Sequence, residues 1–141
     1  MKTTIYRLAH RVTKYGPWRA LDTVFASNLS DSVKKALADL ERYINSLDQY
    51  CNYKKHPLIR TDITGWTERL VCAVPNIKDL RNWFHDETLL IHLMLNDFTV
   101  YAITIDSTDV SYGRSGKQCA FDDADDYEIE DVGLDCLLTE R

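Results

Sequence analysis

The segment "TTIYRLAHRVT" alternates along the chain, with Ile5, Arg7, Ala9 and Arg11 on one face and Tyr6, Leu8, His10 and Val12 on the other. Period two with β-branched and aromatic residues predicts a strand. Gly16 and Pro17 end it. A second pattern follows in Val33, Leu37, Leu40, Ile44 and Leu47, whose spacings of four, three, four and three form one apolar stripe on a helix. Ser30 or Ser32 is placed to cap that helix, and Pro57 stops it from running on past "YCNYKKHP".

Further along, "TERLVCAV" predicts a strand, and Pro75 suits the first position of a helix on which Ile77, Leu80 and Phe84 share one face. "TLLIHLML" continues that helix or forms a second short one. "NDF" reads as a turn, "FTVYAITI" as a strand, "DVSYGRSG" as a loop and "KQCAF" as a short strand. "VGLDCLL" is a short strand or a turn of helix. The order implies one α+β domain over residues 1–141, with two or three helices against a mixed or antiparallel sheet.

The bulk composition agrees with a folded domain. The 141 residues are 45% hydrophobic and 28% charged, which is enough for one buried core. No apolar run is long enough to span a bilayer, and "MKTTIYRLAHR" does not read as a signal peptide. The four cysteines, at 51, 72, 119 and 136, form no C-x-x-C and read as reduced thiols, so a cytoplasmic protein is expected.

Charge changes the picture more. Residues 1–20 carry five basic residues and no acid, whereas residues 122–141 carry nine acids and only Arg141. "FDDADDYEIED" concentrates Asp122, Asp123, Asp125, Asp126, Glu128, Glu130 and Asp131 around Tyr127 and Ile129. Such a run is either a solvated loop or a surface that imitates nucleic-acid phosphates and occupies a basic groove on a partner. The opposite-signed ends, if they lie side by side, neutralise each other in part. The basic N-terminal strand with Tyr6, Tyr15 and Trp18 could grip a phosphate backbone, but a pI near 5.3 opposes non-specific nucleic-acid binding.

The residues offer little for catalysis. His85 and His92 are seven apart, too far for one metal ion without a third element, so no metal is expected. Cys72 and Cys119 sit in apolar strands, which favours burial over nucleophilic use. "YGRSGKQ" matches no phosphate-loop spacing and reads as a hairpin connection.

Taken in order, "IYRLAHRVTKYGPWR", His56–Pro57 with Asp62, "LRNWF", "NDFTVYAI" and "GKQCAF" resemble a group of small accessory proteins of tailed phages and prophages. The resemblance implies a gene that redirects or disarms an infected bacterium, and names no reaction. The expectation is a non-catalytic inhibitor of a host or defence complex, anti-CRISPR-like in action. Its partner surface would be formed by Asp122, Asp123, Asp125, Asp126, Tyr127, Glu128, Glu130 and Asp131, with no cofactor and no direct nucleic-acid binding.

A further similarity is to the layout of ADP-ribosyltransferase folds. It implies NAD held by Arg7 and His10, with Gln118 standing where that family has Glu. An amide lacks the negative charge that the transferase transition state needs. Arg7 and His10 read otherwise as residues capping a sheet edge.

Overall fold

The computed structural model describes residues 1–11, 30–50, 70–122 and 125–138. Among these residues six strands and four helices follow in order. They are β1 (Lys2–His10), α1 (Asp31–Tyr50), β2 (Leu70–Ala73), α2 (Ile77–Trp83), α3 (Glu87–Leu95), β3 (Phe98–Asp106), β4 (Val110–Tyr112), β5 (Cys119–Asp122), β6 (Tyr127–Asp131) and α4 (Asp135–Leu138). A 3-10 turn, Ser107–Asp109, separates β3 from β4.

The strands form two antiparallel sheets of three, ordered β1-β3-β6 and β2-β5-β4. Among the described residues a bridge joins them: Tyr6 and Val74 exchange both backbone hydrogen bonds at 2.9 Å. Where one mixed or antiparallel sheet was expected there are two, each antiparallel throughout its described strands.

Two cores result from the alternation on β1 and β3. Leu8, Phe98 and Val100 face the helices and pack with Ala36, Leu37 and Leu40 of α1, Leu80 and Trp83 of α2, and Leu90 and Leu93 of α3. Ile5, Ala9, Tyr101, Ile103 and Ile105 point the other way, against Val71, Ala73, Cys119 and Phe121 of the second sheet. Each strand of the central pair thus buries both faces, the helical layer on one side and the second sheet on the other. Burial of this kind stabilises by about 1.5–3 kcal/mol per large apolar side chain.

Helix ends are set by local capping. Ser30 Oγ accepts from Val33 N at 3.4 Å, as expected for α1. The expectation for Pro75 is corrected: the next helix begins at Ile77, because Asn76 accepts from Asp79 N at 3.0 Å and acts as the cap. "TLLIHLML" is a separate helix, since Asp86 caps α3 by accepting from Leu89 N at 3.2 Å. "DVSYGRSG" is likewise not all loop; Asp109 ends the 3-10 turn, and Val110–Tyr112 form β4, paired to β5. Ile44 and Leu47 lie beyond the described side chains of α1.

Candidate functional site

The acidic run is divided by the fold. Asp122 ends β5, Asp125 and Asp126 form the connection, and Tyr127–Asp131 is strand β6. Asp123 lies outside the described residues. The strand forms because Tyr127 and Ile129 alternate with Glu128 and Glu130, and they pair opposite Ile105 and Ile103 on β3. The Tyr127 ring meets Phe121 edge-on at 5.3 Å, which ties β6 to the second sheet.

Among the described residues β6 is the outer strand of its sheet. Val132 N donates to Val100 O at 2.9 Å, so the even-numbered positions of β6 turn their backbone groups inward to β3. The backbone N–H and C=O of Tyr127, Ile129 and Asp131 then point to the outer edge. Glu128 and Glu130 are exposed, and so is Ile129 at 45%. In the connection, desolvation and the neighbouring carboxylates of Asp109, Asp122 and Asp126 push the Asp125 pKa upward. A cation brought to this edge relieves that repulsion.

Asp131 differs from the other acids. Its Oδ2 accepts from Arg11 Nε at 2.7 Å, and its Oδ1 accepts from Thr99 Oγ1 at 2.5 Å and from Gly133 N at 3.0 Å. The hydrogen bond from Arg11 dominates, against some desolvation, and holds the carboxyl below its ordinary pKa. Arg11 also donates to Asp97 at 3.0 Å. The basic N-terminal stretch and the acidic segment therefore do meet, through Arg11 and Asp131.

Arg7 lies elsewhere. It is only 4% exposed on β1, and its Nη1 donates to the Cys72 carbonyl at 2.7 Å. This corrects two expectations: Arg7 neither caps an exposed sheet edge nor faces a phosphate backbone. Of the aromatic residues in that reading, Tyr6 is partly buried on β1, and Tyr15 and Trp18 lie outside the described residues.

Arg7 and Gln118 line one cleft with Tyr6, Leu8, Cys72, Ala73, Val74, Leu80, Trp83 and Phe84. With the open solvent at its mouth counted it spans about 340 Å³, and the space within it open to water is about 20 Å³, room for roughly one molecule. Gln118 is buried just ahead of β5 rather than on a strand. His10 points to the opposite face of β1 from Arg7 and meets Phe98 edge-on at 5.3 Å. The three residues assigned to NAD thus do not converge on one site.

Two further groups were singled out by sequence. His92 Nε2 stands 3.2 Å from Asp39 Oδ2, joining α3 to α1, while His85 lies between α2 and α3. Among the described residues no three His, Cys, Asp or Glu side chains are grouped to hold a metal. Cys119 is buried in β5, and desolvation raises its pKa far above that of an ordinary thiol. Among the described residues no helix is long and apolar enough to cross a membrane.

The family model described as "Bacteriophage T4 Y00F protein" matches residues 1–135. No curated protein and no solved structure matches the chain.

Proposed function

Since the chain belongs to the bacteriophage T4 Y00F protein family, we propose that it is a non-catalytic phage protein that binds and inhibits a bacterial host or defence complex. It acts in the cytoplasm of the infected cell. The observation that carries this reading is β6, an exposed outer strand with Glu128 and Glu130 on one face and outward-turned backbone groups along its edge. An open edge of this kind accepts a partner strand through main-chain hydrogen bonds, while its carboxylates select the partner by charge.

The spacing supports a basic partner. Same-face carboxylates two residues apart on a strand repeat about every 6.8 Å, close to the axial rise of two nucleotides along one DNA strand. A host surface built for phosphates therefore meets a similar charge repeat in Glu128 and Glu130, extended by Asp122, Asp125 and Asp126 in and beside the connection. Asp131 contributes less charge to this surface because Arg11 is bonded to it. Tyr127 serves as a fixed aromatic element rather than a free anchor, given its contact with Phe121.

The test is affinity capture from lysate of the bacterial host, followed by binding to the purified captured protein. Wild type is expected to bind one complex in a salt-sensitive manner. Replacing Glu128 and Glu130 with Lys should abolish binding while leaving the fold intact. Equal binding by the reversed protein would remove β6 from the interaction.

A further inference from the structure

The two faces of β6 offer a neighbour different chemistry. Ile129 lies opposite Ile103, a buried residue of the core between the sheets, and is itself 45% exposed. Glu128 and Glu130 lie opposite Thr104 and Ala102, on the side of the sheet that carries Phe98 and Val100. Unlike Asp131, neither glutamate is engaged by a cation among the described residues. Resting on the reading of β6 as the partner-binding edge, we propose that the partner supplies a strand whose centre reads basic, apolar, basic. It pairs antiparallel with β6, its apolar residue opposite Ile129 and a basic residue opposite each glutamate.

The backbone fixes this register. Ile129 turns its N–H and C=O outward, so an antiparallel strand exchanges both hydrogen bonds with it. The flanking residues of the incoming strand then face Glu128 and Glu130 at non-hydrogen-bonded positions, where Cα atoms are about 4.5 Å apart and side chains are closest. Opposite charge belongs there, because like charges directly opposite destabilise a sheet. The antiparallel direction continues that of the described sheet, and parallel pairing is weaker per residue.

The other face excludes a strand that is basic throughout. A side chain opposite Ile129 sits at the margin of the core formed by Ile103, Ile105 and Phe121. A charge there is partly desolvated beside apolar neighbours, whereas an apolar side chain covers the open part of Ile129. Alternation, rather than net charge alone, is the recognised property.

NMR titration of the whole protein at low salt tests the proposal. The probe is a blocked heptapeptide with a central valine between two lysines and threonine elsewhere. Saturable shifts of the Ile129, Glu128 and Glu130 amides are expected, with half-saturation at about millimolar peptide. A peptide of the same residues with its two lysines adjacent should bind about threefold to tenfold more weakly. N-methylation of the central valine removes the N–H that meets the Ile129 carbonyl, and should abolish binding. Replacing both glutamates, Glu128→Gln with Glu130→Gln, should weaken the first peptide at least about threefold.

Absence of saturable shifts in the wild-type protein would overturn the proposal. So would equal binding of the peptide with adjacent lysines, or undiminished binding of the N-methylated one. Failure of the peptide beside a captured host protein that still depends on Glu128 and Glu130 removes the strand pairing alone. Peptide binding with no host protein captured supports the pairing and removes the inhibition of a host complex.

Discussion

Arg11 Nε donates to Asp131 Oδ2 at 2.7 Å across 120 residues of sequence, and so fastens the end of the first strand to the end of the last. Both side chains are more than a third exposed, so the pair is screened by solvent. Asp131→Asn should cost about 0.5–1 kcal/mol in urea unfolding at neutral pH, and less at high salt. Because Asp131 has a lowered pKa in the fold, its contribution is complete above the ordinary carboxylate pKa. That contribution disappears as pH falls through the lowered value. The variant should therefore show a flatter loss of stability on acidification than wild type.

Two leucines on α3 give a sharp contrast. Leu93 is fully buried among the helical core residues, whereas Leu95 is 81% exposed. Leu93→Ala should destabilise by about 2–5 kcal/mol, and Leu95→Ala by less than about 0.5 kcal/mol. Paired denaturation curves measure both.

Cysteine labelling should follow burial. Cys119 is sealed between the sheets with its pKa raised, and Cys136, partly buried on α4, is raised mainly by desolvation. Residue-resolved mass spectrometry with iodoacetamide at pH 8 should find slow modification of Cys136 in the native protein. Cys119 should react only after denaturant is added.

Proline scanning separates the two edges of β6. The N–H of Ile129 points outward, while that of Glu130 belongs to the ladder with β3. Ile129→Pro should leave the domain folded, as proline is tolerated on an open edge, and should remove strand addition by a partner. Glu130→Pro removes a ladder hydrogen bond and should itself destabilise the sheet by about 1–3 kcal/mol. Circular dichroism melts and binding to the captured partner distinguish the two.

Gly133 adopts φ 84° and donates its N–H to Asp131. A Cβ there meets nothing within 4 Å, so Gly133→Ala is a test of backbone conformation alone. It should cost about 1–2 kcal/mol in thermal or urea unfolding.

Periodicity made the long elements legible. The alternation around Ile5 and Leu8 and the stripe through Leu37 and Leu40 are enforced by burial, and burial is what the pattern records. Short elements were harder. β4 has only three residues beside a glycine turn, and the start of α2 depended on whether Pro75 or Asn76 took the terminal role.

In β6, Tyr127 and Ile129 alternate with Glu128 and Glu130, a period-two signal submerged in the surrounding carboxylates. The site was less legible because it depends on distant pairings. Nothing local to Arg7 distinguishes a surface cation from one buried beside Cys72, and nothing local to Asp131 announces Arg11. His10 fell away from Arg7 for a simpler reason: three residues apart on a strand means opposite faces.

The pairing of β1 with β3 also governs the order in which the molecule can assemble. Residues 2–10 have their hydrogen-bonding partners at residues 98–106, so the first strand leaves the ribosome long before its mate exists. Helical hairpins and local turns can gather early, but the central pair closes one large loop and must wait. During synthesis the nascent strand, with Ile5, Leu8 and Ala9 uncovered, is a natural client for chaperones of the cell that makes it.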